Sequence, residues 1–164
     1  AIQLKVDRFS FWRFINDRKA IQLQVLNDGE IHFFQDGIIL NTGTFPNYFE
    51  AISKNRTIAL NNDSTDGKTS EYLGDYFNEF NIKSLLDVEV KSRDVKIGVL
   101  CAETTKEARN WEYEEQNYLS SLADIVSTIF LLFEKNKIIN AFSESEALYK
   151  SMVNALPHYI YRTD

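Results

Sequence analysis

At 164 residues, 44% hydrophobic and 26% charged, the chain can bury the core of one α/β domain with elements to spare, which argues against disorder. A net charge of −6, with Lys and Arg scattered among acids, argues against nucleic acid and against an anionic membrane surface as partners. The single cysteine, Cys101, excludes an internal disulfide and zinc sites built on cysteine pairs, and fits a reducing, cytoplasmic setting.

Arg8 to Asn16 reads as a strand, with Phe9, Phe11 and Ile15 on one face and Trp12 and Phe14 on the other. Apolar residues on both faces predict cover on both. Asn16 to Lys19 is turn chemistry. Ala20 to Leu26 alternates Ile21, Leu23 and Val25 against Gln22 and Gln24, the second arm of a hairpin with one solvated face. Asn27-Asp28-Gly29 turns again, and Ile31 to Gln35 predicts a third strand.

Pro46 suits the first position of a short helix to Lys54, with Tyr48, Phe49 and Ile52 on its apolar side. Arg56 to Leu60 predicts a strand. Asn61 to Ser70 is a polar loop, and Ser70 to Phe80 a helix carrying Tyr72, Leu73, Tyr76, Phe77 and Phe80. The loop is not a calcium loop. With Gly67 in its sixth position the twelfth is Leu73, where a Glu is needed.

Ser84 to Lys91 alternates Leu86, Val88 and Val90 against Asp87 and Glu89. Val95 to Glu103 alternates Val95, Ile97, Val99 and Cys101, with Ser92-Arg93-Asp94 as the turn between. Gly98 in mid-strand marks a close backbone approach or a bulge. Cys101 reads as a core thiol in phase with its valines. Asp87 and Glu103 lie on the paired strands, and a carboxylate pair can serve acid–base chemistry. No nucleophile or metal cluster accompanies them, so structural or solvated roles are favoured. His32 and His158, the only histidines, read as packed or solvated side chains.

From Trp111 to Leu156 there is neither Gly nor Pro. Asn110 is the expected N-cap, with Glu112, Glu114 and Glu115 in the first turn. Leu119, Leu122, Val126, Ile129 and Phe133 recur at 3, 4, 3, 4, a coiled-coil-like seam. A second stripe runs through Ile125, Ile129 and Leu132, extended by Ile139 and Phe142. One stripe suits the sheet and the other a partner helix, the basis for expecting a homodimer. Ser143 to Glu146 has capping-box spacing, so either a new helix starts there or the first runs through. The longest apolar run, Ile129 to Phe133, is too short to span a bilayer, so no membrane contact is expected. Pro157 ends the helical stretch, and Tyr159-Ile-Tyr161 reads as a strand beginning. That ending, with a first residue other than Met, reads as an excised fragment. The order of elements predicts an α+β domain whose mostly antiparallel sheet carries packed helices and a long C-terminal helix.

Ser84-Leu-Leu-Asp-Val-Glu-Val90 followed by Val95-Lys-Ile-Gly-Val-Leu-Cys-Ala-Glu103 resembles the paired strands of GAF domains. Arg109-Asn-Trp-Glu-Tyr-Glu-Glu115 resembles that family's entry into its last helix. Tyr48 to Ile52 and Asp63 to Thr69 resemble a subgroup found in bacterial sensor histidine kinases. The resemblance runs from about Arg8 to about Phe133. Glu146 to Asp164 resembles the opening of a PAS domain. The resemblance implies a GAF domain over 1–135, a signalling helix over 136–155 and the first strand of a PAS domain over 156–164. It further implies a non-catalytic sensory module of a multidomain protein whose output is a kinase or cyclase. In such folds the loop and helix at 61–80 close a small-molecule pocket. Asp63, Asp66, Thr69, Tyr72 and Tyr76, with Asp87 and Glu103, are the candidate ligand-binding residues. No cofactor is specified: the signature of cyclic-nucleotide-binding GAF domains is not apparent, and the Cys-His pair of bilin-attaching ones is absent. The alternative is a ligand-free dimerisation module.

Overall fold

The computed structural model describes residues 4–61 and 75–155. Strands β1 (Arg8–Ile15) and β2 (Ala20–Asn27) form the expected hairpin. Asn16, Asp17 and Arg18 close it in left-handed backbone, with φ of 51, 53 and 66°. Asn and Asp tolerate that region; an Arg there is strained. β3 (Ile31–Phe33) follows, then β4 (Ile39–Asn41), helix α1 (Pro46–Lys54) and β5 (Thr57–Asn61). Residues 75–79 are helical and are called α2. β6 (Ser84–Ser92), β7 (Val95–Thr104) and helix α3 (Tyr113–Ala155) complete the order.

The seven strands form one antiparallel sheet in the order β3-β2-β1-β7-β6-β5, and β4 shares the free edge of β2 with β3. The N- and C-terminal hairpins therefore meet in the middle, β1 against β7. Gly98 makes that junction possible. A Cβ on it would lie 2.4 Å from the Trp12 carbonyl oxygen and 2.6 Å from the Phe11 ring.

The sheet is covered on both faces. On the inner face Trp12, Ile21, Leu23, Leu85 and Val99 pack under Tyr48, Phe49 and Ile52 of α1 and Tyr76 and Phe77 of α2. On the outer face Leu86, Val88, Leu100 and Ala102 pack under Trp111, Leu119 and Ala123. β6 is buried along both faces, so its alternation does not separate core from water.

Three expectations change. β2 does not keep Val25 on the face of Ile21 and Leu23. Phe11 pairs with Val25 but Trp12 pairs with Leu23, so Gln24 is an extra residue in a bulge. One inserted residue swaps the faces, placing Leu26 against the inner core. β1 is only partly covered: Trp12 is buried, whereas Phe9, Phe11, Phe14 and Ile15 are half-buried. Asn110 does not cap α3, which starts at Tyr113. There the Glu115 carboxylate accepts the Glu112 backbone N–H at 3.1 Å, half of a capping box.

α3 runs unbroken for 43 residues through the capping-box spacing at Ser143. The chain divides into two compact units, Ala1–Ser127 and Thr128–Asp164. In the first, Leu119 is fully buried, and Leu122 and Val126 lie half-buried in the outer core. In the second, Ile129, Phe133, Ile139 and Phe142 are all more than half exposed.

Candidate functional site

A polar row crosses the inner face where three strands align. Ser10 of β1 pairs with Cys101 of β7, which pairs with Asp87 of β6. One row along, Arg8 pairs with Glu103 and Glu103 with Leu85. These side chains point into the core because strand alternation puts Leu86, Val88, Leu100 and Ala102 on the other face.

Both helices on the inner face send a phenol into this row. The Tyr48 hydroxyl donates to Asp87 Oδ2 at 2.6 Å, and the Tyr76 hydroxyl donates to Glu103 Oε1 at 2.8 Å. Arg8 Nε lies 3.4 Å from Glu103 Oε2, and the Arg8 guanidinium stacks over the Phe80 ring. The Trp12 indole N–H donates to Ser10 Oγ. Asp87 is 3% exposed and Glu103 fully buried, yet Asp87 Oδ1 and Glu103 Oε2 accept no hydrogen bond. Buried acceptors without donors are uncommon and costly.

The electrostatics follow from burial. Desolvation pushes the Asp87 carboxyl up to about 7, only partly offset by hydrogen bonds from Cys101 and Tyr48. Glu103 is also raised by burial, and the Arg8 charge holds it back. Burial pushes the Cys101 thiol and both phenols well above their usual values, so none is ionised near neutrality. The cysteine reads as the core thiol expected of it. Without a thiolate, a strong base or an open nucleophile, the row offers hydrogen bonds and a titrating carboxyl rather than covalent chemistry.

Glu89, next along the same face of β6, sits in a separate ion cluster. Burial pushes its carboxyl up, but Lys91 and Lys96, each 2.7 Å away, bring it below the ordinary value. Lys96 Nζ also donates to the Ile52 and Ser53 carbonyls at the end of α1. Two cavities lie away from the polar row. One of about 340 Å³ is bounded by Phe14, Arg18, Phe49 and Lys96, and a polar one of about 460 Å³ by Asp7, Lys106 and Arg109. Among the described residues no group of three or more His, Cys, Asp or Glu is arranged to hold a metal. No described helix is long and apolar enough to cross a membrane.

Of the seven residues expected at a ligand site, Tyr76, Asp87 and Glu103 are brought to one face. Asp63, Asp66, Thr69 and Tyr72 lie outside the described residues. Of the structural or solvated roles favoured for Asp87 and Glu103, burial removes the solvated one: both are buried in the row. Tyr48 and Arg8 were not foreseen, although a Tyr on an otherwise apolar helix face is a signal for a buried hydrogen bond. His32 is exposed beside Asp28, and His158 lies outside the described residues.

A family model described as GAF domain matches residues 1–130. The chain belongs to the GAF domain family. Among solved structures, the GAF domain of a two-component sensor histidine kinase from Bacillus halodurans is 21% identical, with a TM-score of 0.54 over 76% of this chain and 81% of that one. The blue-light absorbing form of the Thermosynechococcus elongatus PixJ GAF domain is 16% identical, with a TM-score of 0.61 over 96% and 86%. A phycocyanobilin-bound GAF domain from a cyanobacterial phytochrome is 14% identical, with a TM-score of 0.59 over 79% and 76%. At these identities the likeness is one of fold. A comparison with curated proteins returned no match. In this GAF domain the sheet, with α1 and α2 inside and α3 outside, is the expected α+β architecture.

Proposed function

We propose that this GAF domain is a non-catalytic sensory module that passes a change at its inner face to α3, and through α3 to a following PAS domain and a kinase or cyclase output. The observation that carries it is the alternation of β6 and β7. Asp87 and Cys101 face the polar row, while their neighbours Leu86, Val88, Leu100 and Ala102 pack in the cluster that holds Leu119 and Ala123 of α3. A shift of these strands moves both faces at once. Arg56, directly after α1, adds a second route through Ser120 O at 3.3 Å and Asp124 Oδ1 at 2.6 Å of α3.

The stimulus is a small molecule taken up at the inner face, with Tyr76, Asp87 and Glu103 among its contacts. The cytoplasm is the setting the single cysteine fits. Covalent bilin attachment does not suit this chain, because Cys101 is 2% exposed in the middle of the sheet. The second reading, a ligand-free dimerisation module, is favoured by the filling of the described inner face: Tyr48 and Phe77 are only 1 and 2% exposed.

Both readings need α3 to pair with its copy. Ile125, Ile129, Leu132 and Ile139 are each 52 to 55% exposed at heptad-like spacing, the pattern of an unpaired seam. Light scattering tests it. The chain is expected at twice its monomer mass, and Ile139→Glu as a monomer with an unchanged melting temperature. A monomeric parent chain contradicts both readings.

A further inference from the structure

α1 is tied to the sheet at both ends. In its last turn Lys96 Nζ holds the Ile52 and Ser53 carbonyls, and Lys96 is anchored in turn by Glu89. In its first turn the tie is the Tyr48 hydroxyl on Asp87 Oδ2. The first tie has a permanent positive charge behind it and the second has none.

Among the described residues, Asp87 meets no cation on any element packed against it. β7 presents Cys101 beside it and Glu103 one row along, whose negative charge opposes that of Asp87. β5 presents Ile58, and β1 presents Ser10 beyond Cys101. Arg8 of β1 is directed to Glu103, as is Tyr76 of α2. On α1 itself, Glu50 and Lys54 pair with each other in the open. Along β6, Glu89 is held by its two lysines. An ionised Asp87 would thus sit fully buried, held by the neutral Tyr48 hydroxyl and Cys101 thiol and balanced by no described cation.

We propose that Asp87 and Tyr48 form a proton-operated latch, in which protonated Asp87 keeps the first turn of α1 closed on the sheet and loss of the proton favours lifting of that turn. Lys96 then serves as the pivot. Ionisation strengthens the carboxylate as an acceptor for Tyr48, but that gain is smaller than the cost of a buried, unbalanced charge. Lifting lets water reach the carboxylate. The closed carboxyl releases its proton at about 7 against an ordinary 3.8. Linkage then makes opening roughly tenfold more favourable per pH unit across that interval, and level above it. The latch is independent of any small molecule or dimer: the proton is itself the input.

Two NMR measurements on the full chain test it, the titration of the Asp87 side-chain carbon and the hydrogen exchange of the α1 and β7 amides from pH 5 to 8. The carboxyl is expected to titrate near 7. With intrinsic exchange chemistry divided out, α1 opening is expected to rise roughly tenfold per pH unit up to that midpoint while β7 stays constant. In Asp87→Asn the rise should vanish. In Tyr48→Phe, which keeps the titrating group, α1 should open more at every pH. A carboxyl midpoint below pH 5, an equal rise in β7, or a rise that survives Asp87→Asn overturns the latch. The titration needs no variant, so a failure of Asp87→Asn to fold still leaves a decisive result.

Discussion

Asp87 and Asp7 are shifted in opposite directions, and their signs set the pH dependence of stability. Asp87 is raised from 3.8 to about 7, so its contribution is complete below 3.8 and is lost as pH rises to about 7. Asp7 is lowered to about 2, by the Lys106 ammonium first and the Thr105 backbone N–H second. Its contribution is present above 3.8 and is lost as pH falls through about 2. Stability should therefore peak in acidic buffer, near pH 4, and decline on both sides. The alkaline limb spans on the order of 4 kcal/mol, since each pKa unit is about 1.4 kcal/mol. Melting curves from pH 3 to 8 check this, and Asp87→Asn should flatten the alkaline limb alone. The sequence announced Cys101 as core by its phase with Val99, which shares its inner cluster, but it hid the burial of Asp87. A carboxylate alternating with Leu86 and Val88 is the pattern of a half-solvated strand. Only the pairing with β5 and β7 and the cover from α1 show that both faces are inside.

At the scale of elements, α3 carries two stripes with different fates, and they separate by mutation. Leu119 is fully buried under the sheet, so Leu119→Ala should cost about 2–5 kcal/mol in chemical denaturation, the usual range for a truncated core leucine. A loss below 1 kcal/mol would mean that α3 does not depend on this packing. The stripes were legible because helical periodicity holds from Leu119 to Phe142, inside a longer stretch without Gly or Pro. The same holds for α1, whose Pro46 start and Tyr48–Phe49–Ile52 face read directly from the chain. β4 was not legible: Ile39–Asn41 is three residues long, too short for alternation to register. The bulge at Gln24 escaped as well, because a register shift is a relation between two strands and leaves no mark in one of them. The resemblance to GAF strands at Ser84 to Glu103, by contrast, identified the central hairpin and with it the family.

At the scale of the molecule, the sheet is the shared wall between an inner core crossed by a polar row and the helix α3 on its outer face. Packed strands do not deform continuously, so on the proposed reading a change in the contacts of Asp87 or Glu103 would be carried to the outer face as a shift of β6 and β7. Coupling of this kind requires two arrangements of similar free energy and an input that prefers one of them. On the proposed reading such an input is any event that alters the Tyr48–Asp87 or Tyr76–Glu103 bond, whether a ligand or a proton. The most direct test is hydrogen exchange of the α3 amides 113–127 in the full chain, compared with Tyr48→Phe at one pH. Tyr48 lies on the opposite face of the sheet from those residues. A changed exchange rate is expected on the α3 face bearing Leu119 and Ala123, with β2 amides unchanged. Identical α3 exchange in the two proteins, with α1 loosened, would contradict transmission through the sheet.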